Sequence, residues 1–302
     1  MLGLACGDAV GTTVEFTARG RFTPVTDLVG GGVFDLPAGA WTDDTSMALC
    51  LASSLAESGR FDPDDQMRRY WRWVEEGYLS SNGRCFDVGN TVYGALKRFR
   101  QTGEPFSGST EPDSAGNGCI MRLAPVPMFY YPDRDRIIER SGMSSLTTHG
   151  ATECVEACRL LGGILHQALS GADKAEILLG HGVSDASSPN IRAIAQADYR
   201  DKDESDIRGS GYVVQSLEAA LWCFWHTSSF EAAILKAANL GDDADTTAAV
   251  CGQVAGAYYG QAGIPERWLE RLVMRDRIID LADRLRSGRE SDQPPGLQGS
   301  LE

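Results

Sequence analysis

Two short acidic stretches hold the first candidate chemistry of this chain. One is "AWTDDTSMALCLA", Ala40 to Ala52, where Asp43 and Asp44 stand side by side between hydroxyls at the mouth of an apolar run. The other is "NLGDDADTTAAVCGQVAGAYYG", where Asp242, Asp243 and Asp245 crowd one turn beside Thr246 and Thr247. Each fits a helix N-terminus, where Thr or Asp caps and first-turn Asp complements unpaired backbone N–H groups. A cap needs only one side-chain acceptor, however, and three carboxylates in four residues repel one another unless a cation neutralises them. Carboxylate and hydroxyl oxygens are hard ligands, suited to Mg²⁺, Mn²⁺ or Ca²⁺. Two such clusters, about two hundred residues apart, support a shared metal site as well as they support two caps.

Other residues have a plain reading and a chemical one. In "GLACGDAVGTTVEF", Asp8 reads as a cap or turn brace, and Glu15 as a solvated glutamate beyond a helix fraying at Gly11. In "AGNGCIMR", Gly116 and Gly118 free the backbone around Asn117 to approach a ligand, with a helix expected from Ile120. Exposed N–H groups there suit phosphate or ribose oxygens, although G-N-G alone is only a turn signal. Asp87 in "FDVGNT" reads as a cap for the following helix, and Tyr212 after Gly211 as a helix-start tyrosine. His149, His166, His181 and His226 read as structural histidines.

The elements that must position these groups are helical. "TSMALCLASSLAESG" has helical spacing and ends in Gly59; "DPDDQMRRYWRWVEEGYL" carries Pro63 near its start; "VGNTVYGALKRFRQTG" closes at Gly103. "ATECVEACRLLGGILHQALSG", "YVVQSLEAALWCFWH", "TSSFEAAILKAANLG" and "TTAAVCGQVAGAYYG" read the same way. "PERWLERLVMRDRIIDLADRLRSG" reads as one helix from Pro265 to Gly288. Period-2 alternation is nearly absent. The expectation is one compact all-α domain over residues 1–286, an orthogonal helical bundle, with a disordered tail over 287–302. Several helices are apolar on more than one face, as central helices are. Three long loops interrupt them: Thr17–Trp41, "TGEPFSGSTEPDSAGNGC" and "YRDKDESDIRGSG".

Bulk properties narrow the partners. The chain has 302 residues and a formal charge of −14, which disfavours nucleic acid and anionic membranes. A small phosphorylated ligand stays open, because backbone N–H groups hold phosphate without net positive charge. Eight cysteines are dispersed without a C-x-x-C pair, and Cys154 and Cys158 read as core thiols on one helix face. That pattern implies a reduced, cytoplasmic protein without a zinc site. The opening "MLGLACGDAVG" lacks the basic segment of a secretory leader, and no apolar run reaches the length of a membrane span.

Taken in order, "GDAVGTTVEF", "GAWTDDTSMAL", "FDVGNT", "GNGCIMRLAPV", the Thr148–His149 pair, "SGYVV" and "GDDADTTAA" resemble the ADP-ribosylglycohydrolase family. The resemblance runs from Gly3 to about Leu285. It implies a compact all-α bundle with two divalent cations, Mg²⁺ or Mn²⁺, at the ends of central helices. Thr42, Asp43 and Asp44 match one ligand motif; Asp243, Asp245 and Thr246 match the other. Asp242 stands where some relatives have Gly and is left outside the ligand set. Glu15 matches a glutamate lying over the metals on a mobile segment, and Asp87 a carboxylate near the distal ribose and scissile bond. The implied catalytic carboxylates are Glu15, Asp44, Asp87 and Asp245, with the general base unassigned among these and Asp43. Gly116, Asn117, Gly118, His149, Gly211 and Tyr212 are implied substrate contacts, Tyr212 by stacking on adenine. The implied activity is release of ADP-ribose from an ADP-ribosylated protein by a monomeric enzyme. "FDVGNT" leans towards arginine linkage. Serine-linked substrates, O-acetyl-ADP-ribose and a modified toxin target stay open. So do a non-catalytic ADP-ribose-binding protein and an unrelated metal-dependent phosphohydrolase.

Overall fold

The computed structural model describes residues 1–179 and 186–287. The tail expected at 287–302 and His181 therefore lie outside the described residues, apart from Ser287. Fourteen α-helices and no β-strands occur among the described residues: α1 (Leu2–Gly11), α2 (Asp43–Ser58), α3 (Pro63–Glu76), α4 (Asn90–Thr102), α5 (Pro125–Tyr130), α6 (Arg134–Leu146), α7 (Thr152–Leu169), α8 (Lys174–Ile177), α9 (Pro189–Ala195), α10 (Val213–Trp225), α11 (Phe230–Ala238), α12 (Ala244–Tyr259), α13 (Glu266–Arg271) and α14 (Arg275–Ser287). The all-α expectation holds.

Helix ends follow local chemistry. Gly59, Gly77 and Gly103 close α2, α3 and α4 in the left-handed conformation, which glycine adopts without a Cβ penalty. Asp62 caps α3 by accepting the Asp65 N–H, with Pro63 in the first turn.

At the centre, α1 and α12 lie antiparallel and almost backbone to backbone. A Cβ on Gly3 would lie 2.2 Å from the Gly252 carbonyl oxygen, one on Gly7 2.1 Å from that of Ala248, and one on Gly11 2.4 Å from that of Ala244. Only glycines spaced one turn apart allow that approach. Both helices are buried on all sides along this contact, as their undivided apolar character implied. The C-terminal end of α1 thereby meets the N-terminal end of α12, which places Glu15 near Asp245.

Three helix expectations are corrected. The stretch after Pro265 is two helices, with Met274 left-handed at φ 57° between them. The backbone there turns to the first long loop instead: the Val273 N–H donates to Gly39 O (3.0 Å) and Trp41 Nε1–H to Val273 O (3.0 Å). The helix expected from Ile120 is a single 3₁₀ turn, Asn117–Cys119, followed by α5. The carbonyls of Ile120 and Met121 accept from Gln253 Nε2 (2.9 and 2.7 Å), and Pro125 would interrupt a helix begun there. The third correction is α6, capped by the Asp133 side chain, which, like the shorter α5, α8 and α9, the apolar pattern did not single out.

Candidate active site

The first acidic motif is held by a residue from another helix. The Asp8 carboxylate, on α1, accepts from the Thr42 N–H (2.9 Å), the Thr42 hydroxyl (2.9 Å), the Thr45 N–H (3.0 Å) and the Thr45 hydroxyl (2.6 Å). Asp8 therefore does the capping of α2, and Thr42 makes no side-chain cap of its own. Asp243 precedes α12 and likewise makes no side-chain cap; its Oδ2 accepts from Asn117 Nδ2 (2.8 Å). Asp87 does not cap α4 either: Gly89 occupies that position without a side-chain bond. The capping readings of Asp43, Asp44, Asp243 and Asp87 fall away, and that of Asp8 stands, although for a distant helix.

The two motifs meet. Thr42 Oγ1 lies 3.2 Å from Asp245 Oδ2 and 3.4 Å from Asp44 Oδ2, and Thr246 Oγ1 lies 3.3 Å from Asp44 Oδ2. The Thr42 hydroxyl has one proton, and its short contact to Asp8 uses it. Its lone pairs then face two further carboxylates. Oxygens of Asp43, Asp44 and Asp245 gather within 4.8 Å of one another, as do those of Glu15, Asp87 and Asp245. Asp245 belongs to both groups. Asp44 Oδ1, Asp245 Oδ1 and Glu15 Oε2 are buried without a hydrogen-bond partner. Buried oxygens without donors are costly, and hard oxygen donors in this number fit divalent cations of the Mg²⁺ or Mn²⁺ kind.

Electrostatics express the same crowding. Burial, then the charges of Asp87, Asp243, Asp44 and Asp8, push the Glu15 carboxyl up to about 10. Burial, then Asp243 and Asp8, push Asp87 up to about 7. Burial and neighbouring carboxylates hold Asp43, Asp44 and Asp245 well above the usual carboxylate range.

Glu15 is carried by the segment after α1, which is pinned to the second motif. The Phe16 N–H donates to Asp242 O (2.7 Å) and the Asp242 N–H to Thr17 O (2.9 Å). Asp242 is exposed and left-handed at φ 57°, so it serves this turn and stands apart from the carboxylate groups. Phe16 and Asp87 are also left-handed, both at φ 58°, a conformation that costs non-glycine residues energy and recurs where function holds it.

Above the carboxylates opens a cavity of about 260 Å³. Its walls include Glu15, Asp43, Asp87, Asp243, Asp245 and Thr246 on one side, and Gly116, Asn117, Gly118, His149 and Gly211 on the other. Thr42 and Asp44 lie beneath it, fully buried. The "GNG" loop is tied to the "SGY" loop, with the Asn117 N–H donating to Gly211 O (3.0 Å) and the Val213 N–H to Ala115 O (3.0 Å). Tyr212 does not line this cavity; it stands at its edge, half-buried, its hydroxyl donating to Glu153. Sequence reading missed Glu153 and underrated Asp8. The signal for Asp8 was a carboxylate in an otherwise apolar, glycine-rich helix. His166 and His226 contact the Pro132 and Arg200 carbonyls, away from the cavity, in line with a structural role.

The helical bundle thus collects carboxylates from distant motifs beside a glycine-rich loop. The family model "ADP-ribosylglycohydrolase" matches residues 1–295, and the chain belongs to that family of enzymes. The ADP-ribosylarginine hydrolase Tri1 of Serratia proteamaculans (strain 568) is 45% identical over 285 residues, covering 94% of this chain and 77% of the relative. The protein of the same name from Pseudomonas putida (strain GB-1) is 48% identical over 285 residues, covering 94% and 76%. A solved structure titled "ADP-ribosylglycohydrolase-related protein complex" superimposes with a TM-score of 0.84 at 42% identity, covering 96% of both chains.

Proposed function

We propose that the protein removes ADP-ribose from arginine side chains of ADP-ribosylated proteins, using two divalent cations. The observation that carries this reading is the convergence of both acidic motifs on Asp245, with orphaned carboxylate oxygens beneath a cavity walled by the glycine-rich loop. The arginine linkage is supported by the two relatives named ADP-ribosylarginine hydrolase. Serine linkage remains the alternative substrate chemistry to be tested alongside it.

Thr42, Asp43, Asp44, Asp243, Asp245 and Thr246 would hold the cations. Bound there, the cations would offset the phosphate charge that an acidic site repels and would orient substrate oxygens and water as Lewis acids. The protein's own part is positional and acid–base. Gly118 and Gly211 offer backbone N–H groups along the cavity wall to ribose and phosphate oxygens, Gly116 and Asn117 shape that wall with N–H groups bonded to Ser114 O and Gly211 O, and Tyr212 at its edge flanks the adenine. Glu15, Asp87 and Asp245 surround the place where the anomeric carbon of the distal ribose would lie. A carboxylate of this group takes the proton of the attacking water, and its neighbours stabilise the oxocarbenium-like charge that forms as the glycosidic bond breaks. Asp44 is fully buried beneath the cavity, so its assigned role narrows to cation binding. Eight free thiols, seven of them buried, support a reducing compartment.

The test offers arginine- and serine-linked ADP-ribosyl peptides with Mg²⁺ or Mn²⁺, then with EDTA, to the wild type and to Asp43→Ala and Asp245→Ala. Metal-dependent release of ADP-ribose from the arginine-linked peptide, lost in both variants, is expected. Release only from the serine-linked peptide would overturn the linkage. Release that survives EDTA and both substitutions would overturn the role of metal.

A further inference from the structure

Arg122, in the "GNGCIMR" motif, is fully buried, and among the described residues its partners include no carboxylate. Its Nη1 donates to Gly118 O (2.9 Å) and its Nη2 to Thr148 Oγ1 (2.6 Å). Ser144 O (3.4 Å), Thr147 Oγ1 (3.3 Å) and the Tyr70 ring (4.8 Å) add to its surroundings; a buried guanidinium without a carboxylate is costly to keep, and its two shortest bonds go to Gly118 and Thr148. Thr148 Oγ1 lies 2.8 Å from His149 Nδ1. Gly118 faces the same imidazole, and a Cβ there would lie 2.9 Å from His149 Cε1. The "GNG" loop and the Thr148–His149 pair thus form one constellation: glycine admits the ring and Arg122 ties both motifs together.

The proton inventory of this chain has one economical solution. Thr148 Oγ1 accepts from Arg122, which is a donor only. Its remaining contact is His149 Nδ1. If Nδ1 carried the proton and donated to Oγ1, the Thr148 hydroxyl proton would be left buried without an acceptor, a costly arrangement. The threonine proton therefore goes to Nδ1, and the imidazole proton sits on Nε2. Burial keeps the ring neutral by pushing its pKa down to about 4. Nε2 has no partner among the described residues, and His149 lines the cavity while being 1% exposed.

We propose that Arg122 and Thr148 are positioning residues that lock His149 as the Nε2–H tautomer, making it a neutral hydrogen-bond donor to an oxygen of the ligand. The ligand half of this inference rests on the ADP-ribose reading of the cavity; the tautomer half does not. Long-range ¹H–¹⁵N correlation spectra at neutral pH test the tautomer, with His149→Gln assigning the signals. The wild type is expected to show protonated Nε2 and bare Nδ1. Thr148→Val is expected to lose that single-tautomer pattern and to bind ADP-ribose roughly fivefold to tenfold more weakly, the size of one lost hydrogen bond. Thr148→Ser restores both. A wild type protonated on Nδ1, or a folded Thr148→Val with unchanged tautomer, overturns the relay. A changed tautomer with unchanged ADP-ribose affinity overturns the donor role. A wild type that shows the tautomer but binds no ADP-ribose leaves the relay standing and removes the reading of the cavity.

Discussion

Asp8 Oδ1 accepts both the backbone N–H and the hydroxyl of Thr42, each at 2.9 Å. One side chain from α1 thus caps α2 and fixes the hydroxyl whose lone pairs face Asp44 and Asp245. The carboxylates of the first acidic motif are released from capping and left for another task.

Asp8→Ala removes a cap and strands buried donors on Thr42 and Thr45. A lost cap costs about 1 kcal/mol and each unsatisfied buried donor about 1–3 kcal/mol, so a loss of about 3 kcal/mol or more is expected in urea unfolding. Divalent-ion affinity should fall with it, because Thr42 loses its orientation. Unfolding within about 0.5 kcal/mol of wild type would contradict the bracing role.

Asp44→Asn separates metal-free stability from cation binding. The substitution removes a buried charge from a crowd of like charges, so the metal-free variant should melt at or above the wild-type temperature. It should also lose the upward shift in melting temperature that Mn²⁺ gives the wild type. Thermal scans with EDTA and with Mn²⁺ read both effects; a large Mn²⁺ shift in the variant would count against Asp44 as a ligand.

The pH dependence follows from the raised carboxyls. Asp87 at about 7 and Glu15 at about 10 hold their protons more tightly folded than unfolded. The metal-free folded state then binds more protons than the unfolded chain above about pH 4, and stability falls as pH rises through about 7 and on towards 10. Cations compete with those protons, so their stabilising effect should grow over the same range. Melting temperatures in EDTA that climb from about pH 5 to about pH 9 would refute this.

Gly7→Ala tests the close pairing of α1 and α12. The new methyl would lie 2.1 Å from Ala248 O, and no side-chain rotation can relieve a clash with backbone. A cost of about 3 kcal/mol, the upper part of the overpacking range, is expected, together with weakened divalent binding because Glu15 and Asp245 move apart. Calorimetry of the folded variant measures both.

Asp242→Gly should be tolerated. Asp242 is exposed and left-handed, so glycine relieves about 1 kcal/mol of backbone strain, and metal affinity stays at the wild-type level. A marked loss of metal binding in titration calorimetry would return Asp242 to the ligand set.

The sequence by itself determined the helical class, the ends of several long helices and the candidate site residues. These are local matters: apolar period, glycine after a last turn, proline in a first turn. It also marked two clusters too acidic for capping alone. It mistook the stretch after Pro265 for one helix, because the hydrogen bonds that break it run to Gly39 and Trp41, over two hundred residues away. Only tertiary structure decided that Asp8 supplies the cap of α2, that Asp242 stands apart while Asp243 and Asp245 face the cavity, and that Asp44 lies beneath its floor. The reason is common to all three. A carboxylate's role depends on which donors, charges and solvent surround it, and in this fold those neighbours come from helices far apart in the chain.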